Sequence, residues 1–318
     1  MNIRVDVTDV SVPNGVNGND PDVELGAVTG QKTVTMESNI IHVTQTSDHN
    51  GSGIDTRSPS GPHSPSDTAV SLREAVAIAL VQGDGDEIIK LGASTSATND
   101  YSVNAATVDS ADLLIPSAVT LDLESNSTIT VASGRTLTIE SEVTGPGTLT
   151  VKGGGTVVFN PTNTFANAVN VEDSGTILRI NGVQASNDAV DDDAAITVAT
   201  GATLEVAASE TLSPITGAGN IDIASGQTLT VKVDDADDDS GTPVFSGQIT
   251  GGGNFEKTGT GVYRLDNNTA GASDYTGSTT ITDGTLYVTD QSIGDTSAVT
   301  VNGGASLIVE DNEEIGSI

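Results

Sequence analysis

The chain has no cysteine, no tryptophan, three histidines and only 11 lysine and arginine residues against 44 aspartate and glutamate. Each shortage excludes something. Without cysteine there is no disulfide framework and no thiolate metal centre. The last histidine is His63, so imidazole catalysis and histidine-rich metal sites are absent from everything that follows. A net charge of −33 opposes nucleic acid, whose affinity depends on basic side chains that neutralise phosphates. It opposes anionic membrane surfaces for the same reason. Aromatics make up 3 % of the chain, fewer than a conventional globular core of this length uses. No apolar run reaches the length of a membrane span. The N-terminus, MNIRVDVTDVSVPNG, has no apolar segment of the kind a Sec signal needs. Export, if it occurs, therefore uses a signal already removed or an address elsewhere in the chain.

What is abundant is Gly, Thr, Val, Ala, Asp and Ser, arranged in a recurring unit. AITVATGATLEV at 195–206 returns as TITVASGRTLTI at 128–139, NIDIASGQTLTV at 220–231 and AVTVNGGASLIV at 298–309. AVNVEDSGTILRI, from 168, carries one extra residue in its middle. In the 195 copy, Ile196 and Val198 are two apart, as are Leu204 and Val206, which is strand spacing. Thr197, Thr203 and Glu205 face the other way. Gly201 closes a corner that calls for positive φ. The unit reads as strand, corner, strand, with both apolar faces turned inward. Such a unit cannot bury its own apolar face and must stack on copies of itself, the logic of a β-solenoid. The spacing of the copies predicts coils of roughly 20–27 residues with unmatched coils between them.

Ahead of the repeats, SLREAVAIALV at 71–81 places Leu72, Ala75, Val76, Ala79 and Leu80 along one side of a helix. Ser66 or Asp67 can cap it and Gly83 stops it. Such a helix can cover the open end of the first coil. After it, Ile89 and Leu91 read as inward positions of a strand. The expected organisation is an N-terminal β/loop segment at 1–66, a capping helix and first coil at 67–110, and solenoid coils over 111–318. The fold class is all-β, with that one short helix. VEDNEEIGSI at 309–318 parallels the start of VAASETLSPITGAGNIDI at 206–223, from which the coils are expected to continue beyond Ile318 or to be completed by another subunit.

Chemistry-bearing candidates are few. Asp235, Asp237 and Asp239 have the alternate spacing of a calcium loop. Ser240 stands where an EF-hand needs glycine and Ser246 where it needs glutamate, so a looser Ca²⁺ site and a solvated acidic insertion both remain open. Asp191, Asp192 and Asp193 are consecutive, a poorer ligand geometry. The basic residues after His63 are scattered, and outward carboxylates such as Glu205 and Asp222 read as non-equivalent positions. A catalytic set of the kind β-helix hydrolases and lyases use is therefore not expected.

Two stretches resemble known families. HVTQTSDHNGSG, SLREAV and GDGDEIIKL, within 41–91, are similar to the N-terminal region of bacterial parallel β-helix surface proteins with an SLREA-type cap. GGGNFEKTGTGVYRLDNNTAGASDYTGSTTITDGTLYV at 251–288 resembles the autotransporter-associated β-strand repeat of adhesin passengers. It matches through Gly251, Gly253, Lys257, Gly259, Gly261, Leu265, Asn267, Tyr275, Gly277, Thr279, Gly284 and Leu286. The resemblance implies a right-handed parallel β-helix, an extracellular or cell-surface setting, and repeated residues that are structural, Lys257 at a turn among them. The function expected is a non-enzymatic structural or adhesive one, as the stalk of a large adhesin or a subunit of a surface filament or layer. Its partners would be further copies of itself or a host or matrix surface, with no nucleic acid and no membrane span. Acidity and the missing Sec signal suit type I secretion. The alternative is a β-helix that binds or cleaves polysaccharide.

Overall fold

The computed structural model describes the strands Arg4–Asp6, Thr33–Thr35, Ile40–His42, Glu87–Leu91 and Asp100–Val103 and, singly, Leu72, Ala75, Val76 and Ala79. From residue 112 it describes all but 161–166, 183–189, 192–193, 235–240, 268–270, 312 and 318. The chain divides into two units, Met1–Ile40 and Ile41–Ile318. In the first, Arg4–Asp6 pairs antiparallel with Thr33–Thr35, Val5 opposite Val34.

The second unit is a parallel β-solenoid. Its strands fall on three sides. A ten-stranded sheet forms the first side, from Asp100–Val103 to Ser306–Val309, and a seven-stranded sheet forms the second, from Leu113–Ile115 to Gln248–Gly251. The third side is a four-stranded sheet in the early coils and a five-stranded sheet, Glu210–Leu212 to Val299–Val301, in the late ones. Every described strand pairing in these sheets is parallel, because each strand meets its counterpart one coil on. Coils vary in length, from Leu204 to Ile221 at the short end to Ile89 to Leu121 at the long end.

Stacking in register turns period-two alternation into columns. On the first side, Tyr101, Ile129, Val151, Val171, Val198, Gly217, Phe245, Leu265, Val288 and Val309 follow one another, one per coil. All are buried except Gly217, which is half-buried, and Val309, which is 46 % exposed. Phe245 directly follows Gly217, so a large ring stands next to the one place in the column without a side chain. On the second side Leu137, Val157, Leu178, Leu204, Ile221 and Ile249 form a matching column. Each fully buried side chain of this kind contributes about 1.5–3 kcal/mol, which explains how a chain with few aromatics holds together.

The corners are built as the repeat suggested. Gly201 has φ 84°. The copy with the extra residue turns through Asp173, a non-glycine at φ 64°. Some glycines are needed for close approach instead: a Cβ on Gly277 would lie 1.9 Å from the carbonyl oxygen of Gly253, one coil back.

The copies are not stacked on one another as equivalents, however. Those from 128, 168 and 195 turn from the first side to the second, the 220 copy from the second to the third, and the 298 copy from the third to the first. One strand–corner–strand unit thus serves all three corners. Its spacing along the sequence is not a coil count.

No helix has its ends among the described residues. Leu72, Ala75, Val76 and Ala79 have helical backbone and are buried within the same hydrophobic core as the strands. Ile89 and Leu91 of Glu87–Leu91 are fully buried, as their alternation requires.

Candidate functional site

A solenoid offers two places for chemistry: polar groups turned into the bore, and the outward columns. Lys257 is the chief inward case. It lies in the column Leu212, Val231, Lys257, Ile281, Val301 and is fully buried. Its aliphatic stem continues an apolar stack while its Nζ donates to three corner carbonyls, those of Thr258 (2.9 Å), Gly259 (2.6 Å) and Asp283 (3.2 Å). Burial pushes its pKa down to about 8, with Asp283 and Asp234 opposing. The turn role implied by the resemblance is thus realised as a clamp between two successive corners.

Two glutamates work in a related way. Glu210 is buried and its Oε1 accepts the N–H of Val190 at 3.0 Å. Glu313 accepts Ser292 N–H at 2.7 Å and Ile293 N–H at 2.9 Å, at a turn where Asp290 and Gln291 both have positive φ. Burial raises the Glu313 pKa, and Asp295 adds to it, against the lowering effect of the backbone N–H groups. The parallel between 206–215 and 309–318 puts Glu210 and Glu313 at the same place, and both reach back one coil. Tyr263 reaches two coils back along the first side, its buried hydroxyl donating to the Ile215 carbonyl at 2.7 Å, and its ring stacks on Phe255 at 6.5 Å between centroids. Burial raises its pKa. Burial also pushes Tyr275 up to about 12, within a cluster that includes Thr279 and Ser297. These groups hold coils together.

Outside, Lys90 bridges Glu124 (2.8 Å) and Asp122 (3.5 Å) on the next coil, and the Glu124 hydrogen bond raises its pKa. Arg179 Nη2 meets Glu205 Oε2 at 2.9 Å. Glu205 in turn lies directly opposite Asp222. This corrects the reading of those two carboxylates as non-equivalent: aligning the copies pairs Glu205 with Thr230, but the 220 copy sits one corner later. Burial raises the Asp222 pKa, helped by Glu205 and by Asp274. Among the described residues no group of three or more His, Cys, Asp or Glu is placed to hold a metal ion. Asp235, Asp237 and Asp239 lie outside the described residues, as do Asp192 and Asp193. No described helix is long and apolar enough to cross a membrane.

Residues 149–178 and 255–288 match the family described as passenger-associated-transport-repeat. Two stretches of the chain are thus similar to passenger-associated-transport repeats. The first begins on the first side of the solenoid with Leu149–Lys152, the second on the third side with Asn254–Thr258, so this repeat too is free to start at different faces. Val151 occupies in the first repeat the inward place that Lys257 takes in the second. Over 209 residues the chain is 28 % identical to a protein named adhesin BmaC autotransporter from Brucella suis biovar 1 (strain 1330). That match covers 64 % of this chain and 6 % of the adhesin, so the chain spans a small part of the length of its relative. No solved structure gives a significant match.

Proposed function

We propose that this chain is a stretch of the passenger of an autotransporter-type adhesin, displayed outside a bacterial cell and acting without catalysis. The observation that carries the reading is the coincidence of the passenger repeats with the parallel stack: the described parts of each matched segment fall on four of its strands. Stacked coils at about 4.8 Å each form a stiff, rod-like, right-handed β-helix. The helix through Leu72, Ala75, Val76 and Ala79 covers its first coil. The kinship with an autotransporter favours export through a translocator barrel over type I secretion. Lateral or head-to-tail association of such rods is a further consequence of the reading. To test it, the chain is displayed on a non-adherent bacterium and binding to host cells and matrix-coated surfaces is measured. Binding above that of the empty strain is expected, and binding equal to it refutes the proposal.

The alternate spacing of Asp235, Asp237 and Asp239 in the sequence supports a second, narrower reading, that Ca²⁺ is ligated there and stabilises the chain. Melting should then shift upward with millimolar Ca²⁺ relative to EDTA, and a variant with all three changed to Asn should lose the shift. Equal melting temperatures remove calcium from the account.

A further inference from the structure

We propose that the outward surface of the last coils of the ten-stranded sheet is a platform for an uncharged polysaccharide, with Tyr287 as its stacking residue. The proposal rests on the adhesive reading for its setting and names a partner for it.

Every other aromatic side chain among the described residues is buried. Tyr287 alone lies outward, because its neighbours Leu286 and Val288 take the inward places of Thr285–Thr289. Its hydroxyl makes no hydrogen bond among the described residues. The ring therefore contributes nothing to the bore, and an aromatic body with a free polar tip is a group suited to a partly wet contact.

Its surroundings restrict what that contact can be. Tyr287 stands in the outward column Val244, Arg264, Tyr287, Ile308. These groups lie about 4.8 Å apart along the stack, so they form a flat strip and not a closed pocket. In the preceding coils the same column runs through Thr150, Asn170, Thr197 and Thr216, where Thr197 and Thr216 share a hydrogen bond at 3.2 Å. A ladder of small polar side chains thus leads straight onto the strip of Val244, Arg264, Tyr287 and Ile308. Arg264 does not make the strip an anion site, because its Nε lies 3.3 Å from Asp266 and its Nη1 3.6 Å from Glu310. Both carboxylates flank the strip and offer acceptors. The chain's charge of −33 repels acidic polymers. An elongated ligand with C–H faces to lie on a ring, hydroxyls to donate to carboxylates and no negative charge matches all of these features, and that is the chemistry of a neutral glycan chain.

The test titrates the whole chain by calorimetry with glucan, mannan and N-acetylglucosamine hexasaccharides and with hexagalacturonate as the acidic comparison. At least one uncharged hexasaccharide is expected to bind. Tyr287→Thr, which keeps a strand-forming residue at an outward place, should weaken binding about tenfold or more, the loss of about 1.4 kcal/mol of stacking. Tyr287→Phe should stay close to the parent, and Thr230→Ala, on another side, should change nothing. Circular dichroism shows whether each variant is folded. Absence of binding by all three uncharged sugars, preference for hexagalacturonate, or binding unchanged in Tyr287→Thr overturns the platform. Adhesion retained by displayed Tyr287→Thr, together with no glycan binding by the parent, overturns the platform and leaves the adhesin reading standing. No adhesion by the displayed parent overturns that reading, while the titration still decides the platform.

Discussion

Raising the pH from 8 to 10.5 should stabilise this protein through one side chain. Lys257 is fully buried with its pKa pushed from 10.5 to about 8. Below pH 8 both the folded and the unfolded chain hold its proton. Between about 8 and 10.5 the unfolded chain still holds it and the folded chain does not. The unfolded state then binds more protons, so stability rises with pH across that window and is complete above the unfolded pKa. At about 1.4 kcal/mol per pKa unit the full gain is on the order of 3 kcal/mol. The assay is urea unfolding at half-unit steps of pH for the parent and for Lys257→Met. Methionine keeps the stack between Val231 and Ile281 but cannot titrate, and subtraction removes tyrosines and other lysines that change in the same range. The parent-minus-variant difference should climb by about 2–3 kcal/mol from pH 8 to 10.5. At pH 7 the variant should be less stable by about 1–3 kcal/mol, because the carbonyls of Thr258, Gly259 and Asp283 lose their shared donor. A difference that is flat, or that falls with pH, refutes the burial of this amine.

Leu204 lies between Leu178 and Ile221 in a fully buried column, so Leu204→Ala should cost about 2–5 kcal/mol in urea unfolding, while outward Thr197→Ala should stay within about 0.5 kcal/mol. Gly277→Ala forces a methyl group to 1.9 Å from the Gly253 carbonyl and should lower stability by on the order of 3 kcal/mol, read as a lower melting temperature. Tyr263→Phe removes the hydroxyl that reaches Ile215 two coils back and should cost about 1 kcal/mol or somewhat more by the same denaturation assay.

The inward alternation is the part of this fold that a sequence displays openly. Ile196, Val198, Leu204 and Val206 are all fully buried, and Gly201 has the positive φ its corner needs. What the sequence hides is the side of the solenoid on which each unit sits. All three corners ask for the same local chemistry, so AITVATGATLEV and NIDIASGQTLTV look interchangeable and are in fact offset by one corner. Which corner a unit occupies depends on how many residues each intervening coil spends, and that is a property of the whole stack. The same ambiguity concealed the Glu205–Asp222 pair. Lys257 was recognisable as a turn residue only by resemblance, since a lysine in an alternating strand ordinarily reads as an outward charge. Tyr287 carried no signal either: its outward direction follows from the burial of Leu286 and Val288, not from its own residue type. Glu313 was visible only through its parallel with Glu210, and its two N–H donors come from a turn twenty residues earlier in the chain.

The central claim is a parallel stack whose register is set by the coils and not by the sequence copies. Because the chain has no cysteine, paired cysteines report that register without interference. Glu205 and Asp222 are neighbours across adjacent coils, at about the 4.8 Å strand spacing, within reach of a disulfide. Stacking copy upon copy would instead set Glu205 beside Thr230. The account predicts that Glu205→Cys/Asp222→Cys oxidises to an intramolecular disulfide and that Glu205→Cys/Thr230→Cys does not. Cross-linking of the second pair and not the first would contradict it.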